Sequence, residues 1–253
     1  MIKPDFWDTQ ADNYPAYDDE YLAKDSKVSI EFLKSNCEVK NKSILDIGTG
    51  TGALAIPLAS EAKEVYCIDF SQGMLKRLEE SAKELGLENI TTKHSTWDEI
   101  YKNSPIKKGY DISIASFTPA VRTKEDLEAM IEATKEACLY ASGAGDKVNR
   151  VRNELFLLHG YEKESKRSKD GVGRTLKLLK EMGYDVKEHY FYTEWVNTHS
   201  FETALSQAIG FFEFDGLEYD EKIIREYLKK ITDKDGNIYF NTKSKKGILF
   251  WRV

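Results

Sequence analysis

Residues 43–53 read SILDIGTGTGA: an apolar run ending in a carboxylate, Asp46, and then three glycines within five positions. A buried strand that enters a glycine-rich turn and leaves it as an apolar helix, GALAIPLASEA, admits few folds. Such a turn presents free backbone N–H groups at a helix N-terminus. One glycine is enough for a tight turn. Three, at Gly48, Gly50 and Gly52, imply that something must approach the main chain along the whole bend. In a doubly wound sheet this bend sits at the carboxyl edge of the first strand, beside the crevice where ligands bind.

The sequence around it supports that architecture. Asp18 to about Asn36 suits a helix, with Tyr21, Leu22, Val28, Ile30, Phe32 and Leu33 as its apolar positions. EVYCIDF is a second strand. SQGMLKRLEESAKELG is a helix with Met74, Leu75, Leu78, Ala82 and Leu85 on one face and Gly86 as its C-terminal cap. NITTKHSTW and YDISIASF are a third and a fourth strand. TKEDLEAMIEATKEA is a helix opened by a Thr cap with an acid three residues on, and CLYASG is a fifth strand. Strands and helices in alternation predict a mostly parallel sheet covered on both faces.

After Gly145 the rhythm loosens. KVNRVRNELFLLHG, GRTLKLLKEMG, SFETALSQAIGFF and DEKIIREYLKKI read as helices and VKEHYFYTEWV as a strand, while NIYFNTKSKKGILFWRV reads as a hairpin turning at TKSKKG. No Pro-, Gly- or Ser-rich linker interrupts the chain, so residues 1–253 are read as a single domain. Residues 1–40 form an N-terminal helical lid, 41–145 a cofactor-binding core, and 146–253 substrate-side helices and closing strands.

Two cofactor classes compete for the glycine turn. Gly48, Gly50 and Ala53 satisfy the G-x-G-x-x-A form of a dinucleotide site. Asp46 argues the other way: a carboxylate at the strand end repels a pyrophosphate but complements an ammonium or a sulfonium. Asp69, at the end of the second strand and 21 residues after Gly48, is placed to accept both ribose hydroxyls, which suits either cofactor.

Composition narrows the partners. A net charge of −6 over 253 residues disfavours a polyanion, whose affinity comes from clustered Lys and Arg, so no nucleic acid is expected. The cluster KESKRSK at 163–169 reads as a solvated connection. Cys37, Cys67 and Cys138 have neither disulfide nor zinc spacing; no metal is expected, and a reducing cytoplasm fits. No stretch is apolar for long enough to span a membrane, and the N-terminus lacks the apolar segment of a signal peptide.

With D-x-G-x-G-x-G at 46–52 and the acid at 69, the sequence from about 40 to 145 resembles the class I S-adenosylmethionine-dependent methyltransferases. FWD near the N-terminus and GRTLKLLKEMGY at 173–184 are similar to a bacterial small-molecule branch of that family. The resemblance implies a seven-stranded doubly wound sheet with an antiparallel last strand, and S-adenosylmethionine as cofactor with S-adenosylhomocysteine as product. It implies direct in-line methyl transfer to a small-molecule acceptor by a monomer or homodimer. Carried over residue by residue, it places Asp46, Gly48, Thr49, Gly50 and Gly52 against the methionine moiety and ribose. Phe70 and Met74 would cover the adenine, Met74 serving equally as a helix core residue. Trp97 would be an apolar wall and Asp98 an acceptor for the adenine amino group, or the cap of the helix that follows. Ser116 and Phe117 would lie next to the transferred methyl group.

For the acceptor, Trp7, Tyr14, Phe117 and Trp195 are the candidate pocket aromatics, and Arg122 could bind an acidic group. SFTPAV at the fourth strand end is neither the N/D-P-P-Y/F of amide and adenine-amino methylation nor the P-C of cytosine carbon methylation. A general base is needed only for a hydroxyl or a protonated amine; of His94, His159, His189 and His199, the candidates are His159 and His199. The competing readings are an NAD(P)-dependent oxidoreductase and a non-catalytic cofactor-binding regulatory subunit.

Overall fold

The computed structural model describes residues 8, 11, 14–161 and 170–253. Its elements are α1 (Glu20–Asn36), β1 (Ser43–Ile47), α2 (Ala55–Ala59), β2 (Glu64–Asp69), α3 (Gln72–Glu84), β3 (Ile90–His94), α4 (Trp97–Asn103), β4 (Tyr110–Ser116), α5 (Lys124–Ala133) and β5 (Thr134–Asn149). They continue with α6 (Arg150–Leu158), α7 (Gly171–Glu181), β6 (Val186–His199), α8 (Phe201–Asp215), α9 (Glu221–Ile231) and β7 (Ile238–Arg252). The seven strands form one sheet in the order β3-β2-β1-β4-β5-β7-β6. β1 pairs in parallel with β2 and β4, and β3 and β5 extend the parallel run. The sheet is mixed, its last strands antiparallel, as the sequence predicts.

Chain order reverses between β1 and β4, so the loops after these two strands flank the switch point. Every residue of β1 is buried, which explains its continuous apolar run. On α3 the buried residues are Met74, Leu75, Leu78 and Ala82. Ser71 caps this helix at its start by accepting the Met74 N–H. Gly86 ends it in the left-handed region, with the Leu87 N–H returning to the Ala82 carbonyl. The predicted Thr123 cap is present as a reciprocal box with Asp126.

Several predicted boundaries move; β5 runs on to Asn149, so residues 147–149, which read as the start of a helix, belong to the strand. α5 stops at Ala133 rather than reaching Ala137, because Thr134 is fully buried at the start of β5 and bonds both Ser113 Oγ and the Met130 carbonyl. The predicted C-terminal hairpin is a single strand. Along β7, Ile238, Phe240, Thr242 and Ser244 are buried in strict alternation, the period of a strand with one covered face. Gly247 serves close packing rather than a turn: a Cβ there would stand 2.9 Å from the Tyr190 ring and 3.0 Å from Val172.

The chain divides into two compact units. The first holds Met1–Gly143, Gly171–Tyr190 and Gly247–Val253; the second holds Ala144–Asp170 and Phe191–Lys246. The boundaries fall inside β5, β6 and β7, so no compositional break marks them. The second unit has its own core, in which Val151, Leu155 and Phe156 of α6 join Leu205, Ala208 and Phe212 of α8, Ile224 and Leu228 of α9, and Ile238 and Phe240 of β7. Cys37, Cys67 and Cys138 are free and buried; burial pushes the Cys138 thiol up to about 12, which suits small core residues rather than nucleophiles. Among the described residues, no helix is long and apolar enough to cross a membrane, and no cluster of His, Cys, Asp or Glu could hold a metal ion.

Candidate functional site

Each of the three glycines has its own reason. Gly48 has φ +71°, and a Cβ would stand 1.9 Å from Thr118 Oγ1, so the loop after β4 closes directly on it. Gly52 has φ +86°, and its Cβ would press on Leu78 of α3 and Ile56 of α2 at 3.0–3.1 Å; this glycine serves packing. Only Gly50, at φ +57°, has open space where the side chain would be. The ligand-facing bend is therefore narrower than three glycines suggest. The Gly48 and Thr49 N–H groups are anchored on the Ile68 carbonyl at the end of β2.

The carboxylates beside this bend are fixed from within the fold. Asp46 is buried, and its Oδ2 accepts the Thr49 hydroxyl at 2.8 Å. Burial pushes its pKa up to about 7, with the Thr49 bond opposing the rise and the Asp69 carboxylate adding to it. Asp69 accepts the Gly50 N–H through Oδ2 at 2.8 Å and the Ser71 N–H through Oδ1 at 2.9 Å. It thus ties the glycine turn to the start of α3. Burial raises its pKa too, against these backbone bonds.

A cavity lies over the bend, lined by Asp46, Gly48, Thr49, Gly50, Thr51, Ala53 and Leu54 from below, Ser116 and Phe117 from the end of β4, and Tyr14, Leu22, Asp25 and Ser26 from the N-terminal side. Phe117 is 41% exposed and held at φ +50°, a conformation a bulky side chain rarely adopts; its N–H is bound to the Ala141 carbonyl at 2.8 Å. Burial, aided by the Asp69 carboxylate, pushes the Tyr14 phenol's pKa up, so the ring is neutral.

Of the predicted residues, Asp46, Gly48, Thr49, Gly50, Ser116, Tyr14 and Phe117 meet in this cavity, and Asp69 is bonded to its wall. Gly52, Phe70, Met74, Trp97, Asp98 and Arg122 do not line it. Met74 is a buried residue of α3. Trp97 is 3% exposed and donates its indole N–H to the Asp126 carbonyl at 3.0 Å, which fixes α4 to α5. Asp98 is drawn below the usual carboxylate range by the Thr96 hydroxyl and by Lys102, its exposed ion-pair partner. Arg122 is exposed, and its main-chain N–H bonds Asp126. Trp7 and residues 163–169 lie outside the described residues.

Trp195, His159 and His199 belong to the second unit. Trp195 has Lys147 and Lys246 over its ring. At the end of α6, His159 Nδ1 donates to the Leu155 carbonyl at 2.7 Å and Nε2 accepts the Asp220 N–H at 3.1 Å, so both ring nitrogens hold backbone. His199 sets its ring edge against Phe240.

Leu22, Asp25 and Ser26 were missed in the sequence. With Ser29 and Leu33 they follow helical spacing on α1, and the last four of these five are buried. Polar residues on the covered face of a helix were the available signal.

A family model described as a methyltransferase domain matches residues 44–138. An uncharacterized protein of Haemophilus influenzae is 31% identical over 131 residues, covering 52% of this chain and 46% of that protein. A ribosomal RNA small subunit methyltransferase G of Clostridium perfringens is 30% identical over 98 residues, 38% of this chain and 41% of that one. The chain thus spans about half the length of these curated relatives. Among solved structures, a SAM dependent methyltransferase from Aquifex aeolicus shares the fold with a TM-score of 0.52, at 20% identity, over 74% of this chain and 91% of that one. The sheet order, the acid-guarded glycine turn and these comparisons agree: residues 44–138 match a methyltransferase domain, and the chain has the fold of S-adenosylmethionine-dependent methyltransferases.

Proposed function

We propose that the protein transfers a methyl group from S-adenosylmethionine to a small-molecule acceptor, in a reducing, cytoplasmic compartment. The observation that carries this is the cavity in which a buried carboxylate, an open glycine and a strained aromatic converge: Asp46, Gly50 and Phe117. The cradle fits the cofactor chemically. Gly50 leaves room against the main chain, Asp46 answers an ammonium or sulfonium, and Asp69 stands beside the turn with lone pairs free for ribose hydroxyls. When bound, the cofactor supplies a methyl carbon activated by a positive sulfur. The chain's task is then to align the acceptor about 3 Å from that carbon and to exclude water. Phe117 and Tyr14 are the walls suited to it, and Ser116 is a polar contact beside them.

The carboxylate also separates this reading from a nicotinamide enzyme, whose pyrophosphate Asp46 would repel. Because one relative is named a ribosomal RNA methyltransferase, RNA is the second acceptor class to test. The net charge of −6 disfavours it.

Calorimetry with S-adenosylmethionine and with NAD(P) tests the cofactor; heat with the nicotinamide nucleotide alone would overturn the assignment. Incubation with methyl-labelled cofactor and separate metabolite, RNA and protein pools tests the acceptor. Label in the metabolite fraction is expected, and label confined to RNA or protein refutes a small-molecule acceptor.

A further inference from the structure

The cavity's N-terminal wall is held by a residue that lies outside it. Arg77, on α3, donates its Nη1 to the Ala11 and Tyr14 carbonyls. Three further anchors act on the same stretch. The Asp8 carboxylate accepts the Ser71 hydroxyl at 2.6 Å and the Gly73 N–H at 3.1 Å, and these bonds pull its pKa below the usual carboxylate range. Ala11 is buried against Gly73, where a Cβ would stand 2.7 Å from that of Ala11. Thr51, in the glycine turn, donates its hydroxyl to the Pro15 carbonyl at 2.9 Å.

These anchors all start from cofactor-side elements: the glycine turn, and the helix that begins three residues after Asp69 together with its cap Ser71. Only one residue among the positions they hold, Tyr14, lines the cavity. A guanidinium is suited to bridging two carbonyls, because its planar fork is always charged and offers several donors in fixed directions.

We propose that Arg77 is a positioning residue for the cofactor: it clamps the main chain at Ala11 and Tyr14 so that Tyr14 stays over the glycine turn and retains the ligand. The inference rests on the methyltransferase reading and deepens it. Arg77 need not touch the cofactor, so its effect must pass through Tyr14.

The test is a double-mutant cycle in the full-length chain, Arg77→Met with Tyr14→Ala, read by calorimetry and by the stopped-flow dissociation rate of S-adenosylhomocysteine. Arg77→Met alone is expected to weaken binding about tenfold or more, chiefly through faster dissociation, as follows when two charge-assisted bonds to a covering segment are lost. Arg77→Lys should recover part of the loss. In the Tyr14→Ala background, Arg77→Met should add less than about twofold, within the usual error of additivity. Unchanged binding by Arg77→Met, or equal losses with and without Tyr14, overturns the proposal. A wild-type chain that binds no S-adenosylhomocysteine overturns the methyltransferase reading itself, and the clamp with it. Melting temperatures identify any variant that fails to fold, and Arg77→Gln then replaces Arg77→Met in the cycle.

Discussion

Asp46→Asn should stabilise the unliganded protein at pH 8 while damaging its affinity for cofactor. Burial raises the Asp46 carboxyl from 3.8 to about 7, so the native state keeps a proton that the unfolded chain has lost. The stability this proton provides is complete below the ordinary carboxylate range. It declines as pH rises from about 4 and is gone above about 7. At 1.36 kcal/mol per unit, the ionised group at pH 8 costs the fold on the order of 4 kcal/mol. An amide carries no such cost and can still accept the Thr49 hydroxyl, so the variant should melt several degrees higher at pH 8, show less than half that gain at pH 5 and none below about pH 4. Binding runs the other way. If the ligand's cation needs the ionised carboxylate, the wild-type dissociation constant should rise about tenfold from pH 8 to pH 6. Asp69 is also raised, but Asp46→Asn leaves it in place, so the slope that disappears in the variant belongs to Asp46. Differential scanning fluorimetry and calorimetry at pH 5 to 8 read both quantities. S-adenosylhomocysteine is the sharper probe: a slope shared with S-adenosylmethionine assigns Asp46 to the ammonium, and a slope with S-adenosylmethionine alone assigns it to the sulfonium. A wild-type affinity independent of pH, or a variant that binds as well as wild type, would refute the argument.

Gly50→Ala meets no atom within 4 Å, so it should cost only the left-handed strain of about 1–2 kcal/mol while its methyl group obstructs the cofactor; calorimetry should show a large loss of binding in a protein that still melts cooperatively. Gly48→Ala, which would place its Cβ 1.9 Å from Thr118 Oγ1, should destabilise by more than Gly50→Ala, as denaturant titration would show. Phe117→Gly relieves a φ of +50° and loses a half-exposed ring, so stability should stay within about 1 kcal/mol of wild type while kcat/KM for the acceptor falls at least tenfold. In the second unit, Arg152→Met strands the largely buried Asp215 carboxylate and strips a cation from the Phe156 ring, and should cost about 3 kcal/mol by urea titration.

What the sequence made legible was local. The strand, the glycine turn, the Asp69 position and the Ser71 and Thr123 caps each lie within a short run of residues, where spacing and backbone chemistry determine the outcome. Residues read by position along the chain fared differently. Trp97 and Asp98 follow β3 closely enough to suggest an adenine wall. In the structure a Thr96–Glu99 capping box opens α4, and the Trp97 indole donates to the Asp126 carbonyl. The C-terminal hairpin was misread because a polar, lysine-rich run resembles a turn. In β7 the same run alternates between a buried face with Thr242 and Ser244 and an open one with Lys243, which pairs with Glu194 at 2.8 Å. Asp25 and Ser26 escaped notice because their significance comes from the partner surface of α1, which periodicity alone does not identify.

The glycine turn and the remaining walls of the cavity are therefore built in different ways. At the glycine turn, main-chain groups and two carboxylates converge on the cavity. Gly50 is bonded to Asp69, and Thr49 to Asp46, within a span of 24 residues. The other walls of the cavity come from α1, from the end of β4 and from Tyr14, whose main chain is bonded to Arg77 of α3. These walls are tied to the glycine turn at two points, Pro15 through the Thr51 hydroxyl and the β4 loop through Thr118 against Gly48. The placement of the Tyr14 wall thus depends on a residue, Arg77, that does not line the cavity, and Arg77→Met should change S-adenosylhomocysteine affinity although the glycine turn itself is untouched.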